Sequence, residues 1–483
     1  MTAELRAIAG QGETADEDAA PTGSDGLRLS DAGNAARLVQ AHGADLRFVH
    51  PWTRWLVHDG QRYRPDETGA ATRRMLDTLA SLVARANQLL DPKERARMIK
   101  HAIRSEQAAR VAGALTLAAS LEGVPVLPED LDADPWAFNC LNGTVDLRTG
   151  KLRPHNRADL ITKLAPVEYD PDAKCPGWLE ALDLYFAGDQ VLIEFLRRLV
   201  GYSLTGLTSG QVLAILYGSG TNGKSTFVDV LHHVFGDYAH QAPAEMLMHR
   251  DRGRGGATPE LADLHGRRFV AAIETGDGRR LDEALIKQLT GGDKIRARQL
   301  YAHAFTFQPT HKLWLATNHR PEVHGTDEAI WRRLLLIPFE VTIPPEKQED
   351  QTQVVERLAA EANGILAWAV KGCLQWHLLV GGYQGLDVPD RVKAANAEYR
   401  ADMDSVAAFL EECCIRHPEA KVKSSDLYTQ YGYWAAANGA DALSQKTFSL
   451  RLRDKGYARA KRKDGVWLLG IGVEHHSAMQ GEG

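Results

Sequence analysis

Cysteine is scarce. The 483 residues hold five (Cys140, Cys175, Cys373, Cys413 and Cys414), an odd number with no C-x-x-C pair, so neither a disulfide framework nor a zinc site is suggested. Long apolar runs are missing too. None approaches a membrane span, and the N-terminal residues do not read as a secretory signal, so a cytoplasmic protein with no membrane partner is expected. Neither sign of charge dominates strongly: the net charge is −6, and any nucleic-acid binding must use local basic patches. Residues 1–28 are rich in Ala, Gly, Asp, Glu and Thr with almost nothing to bury, and are expected to be a disordered tail. After that tail there are no internal repeats and no long low-complexity segment. The length allows roughly three domains with sizeable cores, and the composition is that of a globular protein.

What is present centres on Gln211–Thr226, QVLAILYGSGTNGKST. Val212 to Tyr217 is an apolar run that predicts a buried strand ending at Gly218. Gly218, Gly223, Lys224 and Ser225 then fall in the spacing G-x-x-x-x-G-K-[ST] of a phosphate-binding loop. Phe227, Val228, Leu231, Val234 and Phe235 recur at helical spacing up to Gly236. Strand, glycine loop and helix are the context such a loop requires. Its amides and the helix N-terminus would cradle phosphate; Lys224 would reach the β- and γ-phosphates, and Ser225 would hold Mg²⁺. ATP and Mg²⁺ are therefore the expected ligands, with Gly218, Ser219, Gly220, Thr221, Asn222, Gly223, Lys224, Ser225 and Thr226 forming the nucleotide site.

Upstream, Ser30 and Asp31 look like a helix cap, and Leu46 to Tyr63 reads as strand, turn and strand. Met75 to Leu121 is mostly helical, with small hairpins at Asn142-Gly143 and Thr149-Gly150. Pro171 to Pro176 reads as a linker, and helices from Trp178 to Leu204 lead into the central strand. Downstream, Arg268 to Ile273 is an apolar strand ending in Glu274, and a helix runs through Leu285 and Leu289 to Gly291-Gly292. Lys294 to Phe307 alternates as a hairpin, with Ile295 and Ala297 on one face and Arg296 and Arg298 on the other. Lys312 to Thr317 is a further strand ending at Asn318, and Trp331-Arg332-Arg333 precedes another, Leu334 to Phe339. Gln353 to about Tyr399 is helical. The last section, helix, helix, helix and hairpin, follows the order of a winged helix. Lys446, Arg451, Arg453, Lys455, Arg459, Lys461, Arg462 and Lys463 make its end basic.

In a P-loop ATPase an acid on the neighbouring strand holds the Mg²⁺ shell and polarises water. A polar residue senses the γ-phosphate, and an arginine, often from another subunit, neutralises transition-state charge. Glu274, Asn318 and Arg333 (or Arg332) occur in that order. With them stand GSGTNGKST (218–226), FVAAIE (269–274), ALIKQLTGGDKIRARQLY (284–301), KLWLATNHRP (312–321) and GTDEAIWRRLLLIPF (325–339). This set closely resembles the superfamily 3 helicase domain of the phage and plasmid primase–helicase family, which includes poxvirus primase–helicases. GNAARLV (33–39), WLVHDGQRY (55–63) and NGTVDLRTG (142–150) resemble that family's N-terminal helicase-associated domain.

The resemblance implies an α/β chain with a P-loop, AAA+-like core, a mixed α+β N-terminal domain and a C-terminal winged helix. Its expected parts are 29–175, a core at 176–345, a helical lid or linker at 346–400, the winged helix at 401–475 and a tail at 476–483. It implies an ATP-driven homo-oligomer, usually a hexameric ring, moving 3′→5′ on single-stranded and forked DNA in the cell of a phage, prophage or plasmid host. Glu274 is the implied Walker B acid and Mg²⁺ ligand, Asn318 the sensor, and Arg333 the finger. Lys294, Arg296, Arg298, Tyr301 and His303 are the implied DNA grip of the channel hairpin, and Lys461, Arg462 and Lys463 the DNA contacts of the wing. Two departures stand out. Glu274 is followed by Thr275 where many members have a second acid, so either Glu274 serves both roles or Asp277 assists. No Asp-x-Asp metal site in a strand-rich domain is evident, so primer synthesis is not expected and a separate primase is the implied partner. Two other classes compete. One is an origin-binding initiator or switch using ATP only to assemble, against which the channel hairpin argues. The other is a P-loop kinase or GTPase, which lacks support because no Asn-Lys-x-Asp guanine signature occurs.

Overall fold

A computed structural model describes residues 22–249, 258–274, 279–298, 304–325, 327–379, 382–438 and 442–473. They divide into two compact units, one of 22–134 with 154–163 and 304–305, the other of the remainder.

The first unit opens with α1 (Asp31–His42), whose Ser30 hydroxyl accepts from the Gly33 amide at 3.2 Å as an N-cap. The antiparallel strands β1 (Leu46–Val49), β2 (Arg54–His58) and β3 (Tyr63–Pro65) follow in that order, with Phe48 opposite Trp55 and His58 opposite Tyr63. Then come α2 (Ala70–Ala86), α3 (Pro92–Ser105) and α4 (Ala108–Ala118). Leu38, Met75, Leu79, Val111 and Ala114 close one core, and Leu82, Ala86, Met98 and Ala102 another. Residues 22–28, expected as part of a disordered tail, are folded, while the rest of that stretch lies outside the described residues. Thr22 bridges to Arg28, and the Asp25 carboxylate meets the buried Arg37 guanidinium at 2.7 Å, which gives an otherwise polar stretch something to fold onto.

The second unit begins with the antiparallel strands β4 (Ala137–Cys140), β5 (Gly143–Asp146) and β6 (Lys151–Arg153), then α5 (Pro176–Tyr185) and α6 (Gln190–Leu204). Its centre is a five-stranded sheet of β7 (Leu213–Tyr217), β8 (Ala239–Pro243), β9 (Phe269–Glu274), β12 (Lys312–Thr317) and β13 (Leu334–Pro338). The strand order is β13-β7-β12-β9-β8, and every pairing is parallel. Parallel strands covered on both faces read as continuous apolar runs. LAILY, KLWLAT and LLLIP do so, and all are buried but for a half-exposed Tyr217. Around the sheet lie α7 (Lys224–Phe235), α8 (Pro259–Ala262), α9 (Glu283–Thr290), α10 (Glu328–Trp331), α11 (Gln351–Ala359), α12 (Ala362–Leu378) and α13 (Asp390–Asp402). β10 (Ile295–Ala297) and β11 (Phe305–Phe307) are the arms of the hairpin.

The chain finishes with α14 (Ser405–Cys413), β14 (Cys414–Lys423), α15 (Ser424–Ala437), α16 (Gln445–Asp454), β15 (Arg459–Arg462) and β16 (Gly465–Val473), the strands in the order β14-β16-β15. This section has its own core of Phe409, Leu427, Tyr431, Phe448, Leu452, Leu468 and Ile471. β3, β8 and β14 were not expected from the sequence. β8 is an edge strand poor in branched residues, and β14 contains Pro418, is richly charged and is bulged between Arg416 and Lys421. Among the described residues no helix is long and apolar enough to cross a membrane.

Candidate functional site: the cleft at the head of α7

β7 delivers the chain to the carboxyl edge of the parallel sheet, where such folds bind ligands beyond the strand ends. Gly218 has no room for a side chain: a Cβ there would stand 2.0 Å from the Phe339 carbonyl oxygen. Gly220 (φ +99°), Thr221 (φ +48°) and Gly223 (φ +84°) then take left-handed conformations, which curl successive backbone N–H groups into an anion-binding concavity. α7 starts directly at Lys224. Its N-terminal amides, unsatisfied within the helix, face the same region.

The loop is fastened from outside. The Asn222 amide donates to the Phe339 carbonyl at 2.8 Å, and the Ile343 amide donates to the Thr221 carbonyl at 2.9 Å. Lys224 is buried. Its ammonium donates to the Gly218 carbonyl at 2.6 Å and to Asn222 Oδ1 at 2.9 Å, and burial pulls its pKa down to about 8. An amine held by neutral acceptors alone is short of negative charge, and a phosphate supplies it.

The cleft over this loop measures about 1030 Å³. Gly220 to Thr226 form its floor, Asn318 enters from the end of β12, and Tyr185, Lys347 and Arg357 contribute walls. Glu274 ends β9 directly beside Thr317, the residue before Asn318, so the expected acid and sensor leave neighbouring strands at the same edge. The Glu274 side chain and Asp277 lie outside the described residues, as do Tyr301 and His303. Ser225, expected to serve Mg²⁺, and Thr226 both line the cleft. Among the described residues no cluster of three or more His, Cys, Asp or Glu side chains forms a metal cage.

The two arginines separate. Arg333 is buried; its Nε donates to Thr290 Oγ1 at 3.2 Å and its guanidinium also donates to the Ala329 carbonyl, while burial lowers its pKa. It is held within its own chain and is not exposed. Arg332 is exposed and, among the described residues, its guanidinium donates to Gln211 Oε1 at 3.2 Å. Lys294, Arg296 and Arg298 are exposed on the hairpin while Ile295 and Ala297 are buried, the alternation expected of it. Lys461, Arg462 and Lys463 are exposed at the tip joining β15 to β16, and the Arg462 guanidinium lies over Trp467 at 5.4 Å. Arg451 is not part of that surface: it is buried and donates to the His324 carbonyl. Tyr185 and Arg357 were missed, because they reach the cleft only through tertiary packing.

Known families and proteins match this arrangement segment by segment. A D5 N-terminal-like model covers residues 35–186, a family of unknown function (DUF5906) covers 216–333, and a poxvirus D5 protein-like model covers 401–464. The chain fits the poxvirus-type primase–helicase family, with a superfamily 3 helicase domain. Similar proteins include "Putative helicase L207/L206" of Acanthamoeba polyphaga mimivirus, 27% identical over 65% of this chain and 34% of the relative. "Putative helicase 022R" of Frog virus 3 is 24% identical over 65% and 40%, and "Putative primase C962R" of African swine fever virus is 25% identical over 64% and 34%. The chain thus matches between 34% and 40% of the length of these relatives. The apo C-terminal region of NrS-1 aligns with 92% of this chain and 100% of its own at 10% identity and a TM-score of 0.49.

Proposed function

We propose that this chain is an ATP-hydrolysing DNA helicase of a phage, prophage or plasmid, assembling as a homo-oligomeric ring, usually of six, around single-stranded DNA. The observation that carries the reading is Lys224: a buried ammonium at a helix start, satisfied by neutral acceptors and floored into a cleft of about 1030 Å³. P-loop geometry of this kind binds the triphosphate through backbone amides and Lys224. Ser225 and Glu274 are the residues that would hold Mg²⁺, which neutralises charge on the phosphates. Glu274 orients the attacking water and Asn318 senses the γ-phosphate.

The finger is assigned to Arg332. It precedes β13, whose Leu334 pairs with Leu213 at the amino end of β7, whereas the cleft lies at the carboxyl end. Five strand residues separate those edges by about 16 Å, so Arg332 serves a neighbour's ATP rather than its own. The hairpin cations Lys294, Arg296 and Arg298, with Tyr301 and His303 following them in the chain, grip the DNA backbone and move with hydrolysis. The C-terminal section acts as a winged helix, its tip residues Lys461, Arg462 and Lys463 contacting DNA phosphates. A separate primase and other replication proteins are the expected partners.

Strand displacement on a forked DNA with ATP tests the proposal. The expected result is unwinding by the wild type, loss of hydrolysis in Lys224→Ala, and hydrolysis without unwinding in His303→Ala. A wild type that hydrolyses ATP and binds DNA but never separates strands would replace the motor with an origin-binding switch.

A further inference from the structure

The first unit carries a cationic surface that the motor does not use. α3 is fixed in rotation, since Met98 and Ala102 are buried against Leu82 and Ala86. The opposite face then presents Lys93, Arg97, Lys100 and Arg104, at intervals of four, three and four residues, all exposed. That spacing stacks side chains in one row along a helix. The row is about 16 Å long at 1.5 Å per residue. The ion pairs of this unit engage Arg37, Arg62, Arg74, Arg85, Arg110 and Arg157, leaving these four without a carboxylate partner among the described residues.

A second observation points to a ligand. Arg97, Lys100 and Arg104 also wall a cavity of about 400 Å³ that runs to Ser30 and Asp31 at the start of α1 and to Arg110 of α4. Its one carboxylate, Asp31, faces Arg110 at 3.7 Å, so cations outnumber acids in the cavity. His101 adds no charge, because burial and the nearby Arg37 and Arg110 hold its pKa below the usual value. Like charges stacked at this spacing oppose the helix that carries them, and a polyanion laid along the row relieves that repulsion.

We infer that the α3 row is a second nucleic-acid site, taking the sugar–phosphate backbone of DNA. The choice of DNA as occupant rests on the helicase reading; the row itself does not. A DNA strand offers about five phosphates over the length of the row. The row carries no aromatic side chain, so it tracks phosphates without reading bases.

The test is DNA affinity of the full chain, without nucleotide, across a range of salt. The combined variant Lys93→Gln, Arg97→Gln, Lys100→Gln and Arg104→Gln is compared with a charge-matched control, Arg54→Gln, Arg64→Gln, Lys174→Gln and Lys371→Gln. Each lost phosphate contact lowers the slope of log K against log salt by about 0.7 on single strands and about 0.9 on duplex. The α3 variant should lose roughly three units of slope and at least about tenfold in affinity at low salt, with ATP hydrolysis unchanged in the absence of DNA. Labelled single strands and duplexes tell which form is held. An unchanged slope, or an equal loss in the control, overturns the inference while leaving the motor reading intact. Loss of binding to phosphatidylserine vesicles with DNA binding unaltered also overturns it. A wild type that binds no DNA sinks the helicase reading as well.

Discussion

Asn222 holds the cleft from both sides: its amide nitrogen donates to the Phe339 carbonyl at 2.8 Å while its amide oxygen accepts from Lys224 at 2.9 Å. The loop's cation and the strand beside it are thereby tied to one side chain. Replacing Asn222 by Ala strands a buried carbonyl and removes one of the two acceptors of Lys224. The expected cost is about 1–3 kcal/mol of stability, with weaker nucleotide binding. Asn222→Asp should bind nucleotide worse still, because a carboxylate neutralises Lys224 and repels phosphate. Thermal melts with and without ATP check both; an Asn222→Ala protein with unaltered melting and affinity would remove the residue from the site.

The glycines of the loop separate by cause. Gly220 has open space around its missing side chain but a φ of +99°, whereas Gly218 has a Cβ position 2.0 Å from a backbone oxygen. Gly220→Ala should therefore cost about 1–2 kcal/mol of backbone strain. Gly218→Ala should cost more, because β13 and the loop must part. At Gly223 both causes act, with φ +84° and the Tyr185 ring 2.4 Å from the added carbon. Comparative melts of the three variants should rank Gly220→Ala mildest; the opposite order would mean the loop is looser than its packing implies.

Much of this was legible in the sequence, and the physical reason is burial on both sides. LAILY and KLWLAT can be little else than central strands, and Gly223-Lys224 marks the turn into α7. The hairpin alternation from Lys294 to Arg298 likewise follows from one face being buried. What stayed hidden depends on partners distant in the chain. Arg332 and Arg333 are adjacent and alike, and only Thr290 and Ala329 decide which is buried. Asp25 looks like part of a solvated tail until Arg37 arrives from α1. β14 is polar enough to pass for a loop and becomes a strand because β16 lies beside it.

Nucleotide affinity should fall as pH rises through about 8. Burial lowers the Lys224 pKa from 10.5 to about 8, so the amine is charged below that pH and increasingly neutral above it. Phosphate binds the charged form, so Kd climbs by up to about tenfold per pH unit above the pKa. Binding at pH 8.5 must then take up protons, visible in calorimetry as a dependence on buffer ionisation enthalpy. Lys224→Arg keeps its charge throughout and should give a flat profile. A flat wild-type profile between pH 7 and 9.5 would show that the ammonium is not titrating in the cleft.

Arg333→Ala and Arg332→Ala should fail in different ways. The buried Arg333 guanidinium satisfies Thr290 and the Ala329 carbonyl, so its loss leaves buried groups without partners and lowers the melting temperature. Arg332 is exposed with one weak tether, so Arg332→Ala should melt normally. If it acts on a neighbour's ATP, it should nevertheless abolish hydrolysis, as Lys224→Ala does from the other side of the interface. Mixing the two inactive proteins then places an intact Lys224 cleft beside an intact Arg332 in a fraction of the interfaces, and hydrolysis should return. A cis-acting Arg332 predicts no recovery on mixing, since each chain would then lack one essential residue of its own site. Recovery in the mixture, with neither variant active alone, is a result that only catalysis shared between subunits produces.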